Sequence, residues 1–465
     1  MSDMFTSTIA AVSTPRGKGG IAVIRISGPD ALSICEKFIH PKSRKPLSSV
    51  PANTAVLAFV SDPSGETLDE AIVIVFRAPH SYTGEDTVEI SCHGGILLTE
   101  EILSSAFVCG AVPAGPGEFT RRAFAAGKLS LSEAEAVIGV IEAQTHAALK
   151  LSRKNMEGAV RRRTDEINAI LGALISSVYA VIDFPDEDLA EMTREELREG
   201  ILRAKAMLET LSSSYRTGHA VCEGIRTVIF GKPNTGKSTI LNLLAGKDRA
   251  IVTDIAGTTR DVICETVVAG EVLLRLFDTA GIRESADAVE RLGVAKSMEA
   301  LDEAELILAV FDASRPLERE DEEVLSRVRS RAEEGAQLIV IMNKSDLPGK
   351  ADVSAIQKRL GTAPFPFCAK DPAGRTSLVS RIEGLWKDGS LLQDGEAVIA
   401  NARQFSAAEK ALSHVSEALL ALDALGPDIA CTELEAAMAS LGELDGRQVT
   451  EEIVDQIFHH FCVGK

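Results

Sequence analysis

The chain has no C-x-x-C pair. Its eight cysteines stand apart at positions 35, 92, 109, 222, 264, 368, 431 and 462. Scattered thiols exclude a zinc-ribbon framework and fit a reducing compartment. No apolar run approaches the ~20 residues of a membrane span, so a bilayer-crossing segment is not expected. Met1-Ser2-Asp3-Met4 offers no basic stretch ahead of an apolar one, so no secretory leader is expected, and the cytoplasm is the expected location. Positive charge is scarce: 49 Lys and Arg face 68 Asp and Glu, for a net charge of −19 and a pI near 5.0. That balance argues against a general nucleic-acid binder, while leaving room for RNA docking through a local patch. Arg161-Arg162-Arg163 is the densest basic run, with Arg153 and Lys154 upstream; a solvated helix face is the plainer reading. The single tryptophan, Trp386, and three tyrosines carry no functional hint, and no internal repeat is present.

What is present is a phosphate-binding motif. Gly231-Lys232-Pro233-Asn234-Thr235-Gly236-Lys237-Ser238 reads G-x-x-x-x-G-K-S, with Thr239 next. The apolar run Thr227-Val228-Ile229-Phe230 precedes it, and helical spacing (Ile240, Leu241, Leu243, Leu244) follows. That strand–loop–helix setting is what a P-loop needs. Its glycines let backbone N–H groups close on phosphate oxygens, Lys237 faces the β- and γ-phosphates, and Ser238 offers a hydroxyl to Mg²⁺. Asp278-Thr279-Ala280-Gly281 follows the alternating run Val272, Leu274, Leu276 and suits a second metal-side carboxylate; a strand-to-loop turn is the alternative. Between them, Gly257-Thr258-Thr259-Arg260-Asp261 offers a threonine for the metal.

Asn343-Lys344-Ser345-Asp346 follows the apolar run Leu338–Met342 and resembles the N-K-x-D guanine reader. A carboxylate there accepts from the guanine N1–H and N2–H₂ edge, a donor pair that adenine lacks. Cys368-Ala369-Lys370 resembles the last base-side motif, with cysteine in place of its usual serine. The ordered set predicts a guanine-nucleotide domain over about 223–380. Ile282 stands where Ras-like enzymes carry a water-orienting glutamine, and no arginine finger can be assigned. Asn234 offers an amide oxygen to a monovalent cation. Glu290 is a candidate for holding the attacking water through a bridging water; a solvated acid in an acidic stretch is the alternative.

A length of 465 residues suggests about three domains, and 45% hydrophobic content with mean hydropathy +0.09 is ample for packed cores. Residues 1–120 read as mixed α/β, with strands expected at Ile21–Ile26 and Ala71–Phe76. From Ser130 the pattern turns helical: Ala134, Val137, Ile138 and Ile141, then Ile167, Ile170, Leu171, Leu174, Ile175 and Val178. Asp183-Phe184-Pro185-Asp186 interrupts it, and a further helix is expected from Arg194 to Leu211. Helical spacing returns at Leu412, Val415, Leu419 and Leu422. A helical bundle split by an inserted GTPase domain is therefore expected.

Several segments carry a closer resemblance. They are Tyr82-Thr83-Gly84-Glu85-Asp86, Cys92-His93-Gly94-Gly95, Pro116-Gly117-Glu118-Phe119-Thr120-Arg121-Arg122-Ala123-Phe124, Asp183-Phe184-Pro185-Asp186-Glu187, the loop Ala250–Asp261, and the tail Phe461-Cys462-Val463-Gly464-Lys465. Together with the inserted GTPase, they resemble the MnmE (TrmE) family of tRNA-modification GTPases along essentially the whole chain. The resemblance implies a multidomain α/β plus all-α fold: an N-terminal α/β tetrahydrofolate-binding-like domain (1–125), a discontinuous helical bundle (126–222 and 381–465) and an inserted Ras-like P-loop GTPase domain (223–380). It implies a homodimer joined by the N-terminal domains, a formyl- or methylene-tetrahydrofolate donor, and an FAD-dependent partner, MnmG (GidA). The pair modifies C5 of the wobble uridine of certain tRNAs.

The resemblance also assigns residues. K⁺ falls to Asn234 and the carbonyls of Thr253, Ile255 and Thr258, and Mg²⁺ to Ser238 and Thr259 with Asp278 in the outer shell. Glu290, Asn234 and Lys237 become the catalytic set. The nucleotide is lined by Asn234–Thr239, Thr253-Asp254-Ile255-Ala256-Gly257-Thr258-Thr259, Asp278–Gly281, Asn343, Lys344, Asp346, and Cys368-Ala369-Lys370. Folate falls to Arg25, Glu89, Lys128 and Lys465. Cys462, beside an aromatic, is expected to be a buried small hydrophobe rather than a nucleophile. A regulatory switch GTPase that binds RNA or an assembly factor without modifying it is the alternative that the GTPase motifs alone allow.

Overall fold

The computed structural model describes residues 6–183, 192–245, 264–277, 298–386 and 397–465. They form two compact units: the chain up to Ile138 together with Ala439–Lys465, and Gly139–Met438.

The first unit is built on a seven-stranded sheet. Its strands are β1 (Ile9–Val12), β2 (Ala22–Ser27), β3 (Ile39–Pro41), β4 (Thr54–Ser61), β5 (Thr67–Phe76), β6 (Thr87–Cys92) and β7 (Val112–Pro113), in the order β3-β4-β5-β6-β2-β1-β7. Both strands expected from the sequence are present, as β2 and the second half of β5. Alternation sends Ile24, Ile26, Val73, Val75, Val88 and Ile90 to one face. There they pack with Ile34 of helix α1 (Ala31–Cys35) and Ile102 and Ala106 of helix α2 (Ile96–Val108). The same alternation places Arg25 and its register partner Glu89 on the opposite face.

Two segments of the resemblance meet beside that face. Helix α3 (Glu118–Ala125) carries Arg122, whose side chain is 1% exposed and donates to Glu118 at 2.8 Å and Glu85 at 3.0 Å. A buried guanidinium costs desolvation unless carboxylates meet its donor fork, and here two do. The tail belongs to this unit. Leu131, Ala134, Val454, Phe458 and Phe461 form a small core, and Pro116 bridges antiparallel to Val463. Phe461 turns inward, which leaves Cys462 exposed, against the expectation of burial.

The second unit joins helices to a six-stranded sheet of order β13-β12-β11-β8-β10-β9. Its strands are β8 (Ile225–Phe230), β9 (Cys264–Ala269), β10 (Val272–Phe277), β11 (Leu306–Asp312), β12 (Gln337–Asn343) and β13 (Phe365–Pro366). All pairings are parallel except β9 with β10. Every residue of β11 is buried, as a strand covered on both faces requires. The helical pattern from Ser130 resolves into α4 (Leu131–Glu142), α5 (His146–Met156) and α6 (Ala159–Asp183), and the next expected helix is α7 (Arg194–Ser213).

Leu197, Ile201, Ala204, Leu208 and Leu211 of α7 are buried along the helix at Ala402–Ala424. That helix presents Ala407, Ala408, Ala411, Val415, Ala418 and Leu422, and its four alanines let the two backbones approach closely. Helix α6 is long and apolar enough to cross a bilayer by length and composition alone. Its buried residues Ile167, Leu171, Leu174 and Ile175 instead form the stripe expected from the sequence, and it packs on α7. The basic run on α6 is spent on neighbouring acids, Arg161 with Asp165 and Arg163 with Glu166, as a solvated face would be.

Helix α8 (Tyr215–Cys222) joins the helices to the sheet. Ser214, just before it, accepts from the amide of Ile399, while Thr217 donates to the Trp386 carbonyl at 2.9 Å, so the chain leaving the sheet returns to the helix from which it entered β8. His219 sits between Glu223 (2.9 Å) and Glu305 (3.1 Å), and Glu305 also takes the Arg226 amide at 3.0 Å. Burial opposes the charge on His219, but the two carboxylates outweigh it and raise its pKa from 6.5 to about 9. Burial likewise disfavours charged Glu305, and bonds from His219 and the Arg226 amide lower it from 4.5 to about 2.

A raised histidine stabilises the fold fully below its unfolded value and loses that contribution as pH climbs through the folded value. A depressed glutamate does so above its unfolded value and loses it as pH falls. Both contributions are complete between pH 4.5 and 6.5. In urea unfolding, the advantage of the wild type over His219→Gln is expected to be greatest in that window and to fade as pH passes about 9. An advantage that stays constant from pH 6 to about 10 would show that the charge is not what matters.

Candidate functional site

The P-loop sits where a parallel sheet offers a ligand site, at the carboxyl ends of its strands and at the switch point between β8 and β11. It leaves β8 and ends in helix α9 (Lys237–Ala245). Lys237 folds back, its ammonium donating to the carbonyls of Gly231 at 2.8 Å and Lys232 at 2.9 Å. Burial lowers its pKa. Among the described residues its partners are these neutral carbonyls, and a desolvated ammonium so placed is poised to move to an anion. Ser238 and Thr239 are exposed beside it, at the start of the helix.

Asn234 is exposed at the crest of the loop with φ 62°, a left-handed conformation that asparagine tolerates better than most residues. The loop is held from both sides. Lys232, its second residue, is 8% exposed at the side chain and pairs with Glu318 at 2.9 Å and Asp321 at 2.6 Å. Those acids begin helix α10 (Arg319–Glu333) and cap it reciprocally.

From the other side comes the loop after β12. Asn343 Nδ2 donates to the Thr235 carbonyl at 2.8 Å, and Lys344 Nζ donates to the Asn234 carbonyl at 2.9 Å. Two consecutive side chains thus hold two consecutive P-loop carbonyls. Asn343 Oδ1 accepts from the Ala369 amide at 3.1 Å, and the Cys368 thiol donates to Asp346 at 3.4 Å. The N-K-x-D and C-A-K segments therefore meet, with Asp346 and Lys370 exposed at the rim. The serine-to-cysteine change keeps the contact but makes it a weaker donor.

Thr253, Asp254, Ile255, Ala256, Gly257, Thr258 and Thr259, Asp278, Thr279, Ala280 and Gly281, and Glu290 lie outside the described residues. Sequence reasoning missed Lys232 with its acid pair, and it missed Asp312. The signal for Asp312 was available: it is an acid closing a fully apolar strand, and it stands beside Asn343 in register.

The second candidate set lies in the first unit. Arg25 Nε donates to Glu89 at 2.8 Å, and its guanidinium lies 5.4 Å from the rings of both Tyr82 and Phe119. Lys128 donates to the Pro79 carbonyl at 2.8 Å and to that of Ser81, next to Tyr82. The Phe119 amide donates to the Lys465 carbonyl at 3.1 Å. Arg25, Lys128 and Lys465 therefore reach the two rings or their immediate neighbours, and Glu89 joins them through Arg25. A paired carboxylate and guanidinium between aromatic rings is a donor-and-acceptor set suited to a flat heterocycle bearing anionic groups.

The family model for the N-terminus of the GTP-binding protein TrmE matches residues 8–128. The model for the MnmE helical domain matches residues 131–462. A tRNA modification GTPase MnmE from Symbiobacterium thermophilum is 42% identical over 467 residues, which covers 99% of this chain and 100% of that protein. The chain belongs to the MnmE family of tRNA modification GTPases. The counterpart in Geobacillus kaustophilus is 41% identical and covers 98% of this chain and 99% of its own. Among solved structures, Era from Aquifex aeolicus bound to GDP·AlF4⁻ is 28% identical with a TM-score of 0.27, covering 40% of this chain and 65% of that one. The chain is thus a GTPase of tRNA modification with a multidomain α/β and all-α fold.

Gly236 has φ 97°, and a Cβ there would stand 2.1 Å from Asn343 Nδ2. Gly236→Ala is expected to displace Asn343 from the Thr235 carbonyl and weaken GDP binding by about tenfold or more, the cost of orphaning a buried amide. Titration with a fluorescent GDP analogue checks it; an unchanged affinity would remove Asn343 as a brace.

Proposed function

We propose that the chain is a K⁺-dependent GTPase that works with the FAD-dependent flavoprotein MnmG (GidA). Together they modify C5 of the wobble uridine of certain tRNAs, adding an aminomethyl or carboxymethylaminomethyl group with a formyl- or methylene-tetrahydrofolate donor. It acts in the cytoplasm as a homodimer joined through residues 1–125. Residues 126–222 and 381–465 are two parts of a helical domain, and 223–380 form the inserted GTPase domain. The observation that carries the nucleotide half is the paired hold of Asn343 and Lys344 on the P-loop carbonyls, which keeps phosphate and base readers in one frame.

In this reading Asp346 accepts from the guanine edge and selects GTP. Lys237 leaves its carbonyls for the β- and γ-phosphates. Ser238 and Thr259 hold Mg²⁺, with Asp278 behind them. Asn234 and the carbonyls of Thr253, Ile255 and Thr258 hold K⁺. A fixed monovalent cation supplies positive charge where no arginine finger does, since charge at the transition state matters more than its source. Glu290 orients the attacking water, which Ile282 cannot do. In the first unit Glu89 accepts from the pterin N–H edge, while Arg25, Lys128 and Lys465 meet the carboxylates of the folate's glutamate tail.

GTP turnover in KCl against NaCl at matched ionic strength tests the cation half. Strong stimulation by K⁺ that disappears in Asn234→Ala is expected. Equal rates in both salts would remove the cation and move a switch GTPase with an activator in trans ahead. Calorimetry with 5-formyltetrahydrofolate tests the other half. Arg25→Ala and Glu89→Gln are each expected to weaken binding by about tenfold, the scale of one charge-assisted hydrogen bond. Binding that neither change affects would place the folate elsewhere.

A further inference from the structure

Among the described residues Lys344 has two partners, and only one of them belongs to the nucleotide motifs. Its ammonium donates to the Asn234 carbonyl at 2.9 Å and to Asp312 Oδ2 at 2.5 Å. Asp312 ends β11, and its side chain is 4% exposed. Its other oxygen, Oδ1, accepts from the Ser314 amide at 3.0 Å and the Ser314 hydroxyl at 2.6 Å. Arg315 Nε approaches Oδ2 at 3.9 Å. The carboxylate is thus locked on one side and turned toward Lys344 on the other.

A lysine stem has rotamer freedom that an ordered contact must overcome. Lys344 is 30% exposed at the side chain, so solvent competes for its ammonium. Its backbone also sits at φ 62°, a second constrained residue facing the φ 62° of Asn234. A buried, oriented carboxylate is the means of holding such a side chain in one place before nucleotide arrives. Binding then loses less entropy, because the arrangement is already made.

We propose that Asp312 is a positioning residue for guanine-nucleotide binding. It fixes the Lys344 ammonium on the Asn234 carbonyl and so ties the base-reading loop to the crest of the P-loop. Asp312 touches no substrate; its action runs through Lys344. The conformation of Asn234 then depends on an acid outside every nucleotide-binding motif in the chain.

The test is a double-mutant cycle on the full-length chain, read as the dissociation constant of a fluorescent GDP analogue. Asp312→Asn keeps the shape and removes the charge, and is expected to weaken GDP by about tenfold, the scale of a charge-assisted hydrogen bond. In a Lys344→Met background the same change is expected to have no further effect, because the residue it positions is gone. A merely structural role would lower affinity equally in both backgrounds and would overturn the proposal, as would wild-type affinity in Asp312→Asn. If Asp312→Asn fails to fold, Ser314→Ala carries the cycle. It loosens the carboxylate without removing it and is expected to weaken GDP by about two- to threefold, again only while Lys344 is present. Unchanged affinity in Ser314→Ala, or equal losses in both backgrounds, would overturn the proposal in that case.

Discussion

The nucleotide side of this protein depends on a short seam of hydrogen bonds between two loops at the carboxyl ends of parallel strands β8 and β12. Asn343 and Lys344 reach across to adjacent carbonyls of the P-loop, and the loop keeps its left-handed crest because those carbonyls have partners. Backbone carbonyls of a phosphate loop point away from the phosphate that its amides receive, so something on the far side must satisfy them. Here the base-reading segment does so. The N-K-x-D segment and the P-loop therefore hold each other's shape, and the buried pair of Lys232 with Asp321 closes the opposite flank.

The same economy governs how the inserted domain meets the helices. One eight-residue helix, Tyr215–Cys222, receives both ends of the insertion: the chain enters β8 directly from it, and the exit at Trp386 and Ile399 returns to it or to Ser214 before it. Domain ends that lie close together allow such an insertion without disturbing the host. The polar cluster of His219, Glu223, Glu305 and Arg226 pins the junction at the end of the sheet away from the P-loop.

Much of this was legible in the sequence, for identifiable reasons. The P-loop and the N-K-x-D segment each follow an apolar strand, and both lie at the carboxyl ends of the strands because parallel strands all end there. The stripe Ile167 to Ile175 was readable because burial follows the 3.6-residue period. What could not be read were pairings between distant segments. Arg25 and Glu89 are 64 residues apart and meet only through strand register. Nothing in the run Arg121-Arg122 distinguishes the second arginine, which is buried between Glu85 and Glu118. Cys462 was misjudged because the neighbouring phenylalanine takes the inward position, and only one of the two residues can.

The woven tail has a consequence for how the protein comes into being. Gly464 lies so close to β1 that a Cβ would stand 2.3 Å from the Val12 carbonyl, and Phe461 and Val463 fill the neighbouring core and bridge. The first unit is thus assembled from two segments that the whole of the second unit separates in sequence. During translation, β1 to β7 emerge long before Phe461–Lys465 exist, and the surface around Pro116 and Phe119 waits uncovered while the helices and the GTPase sheet form. Contacts of such long sequence separation close last and are slow to find. The first unit therefore cannot close until the segment from Ala439 onward has followed the whole of the second unit out of the ribosome.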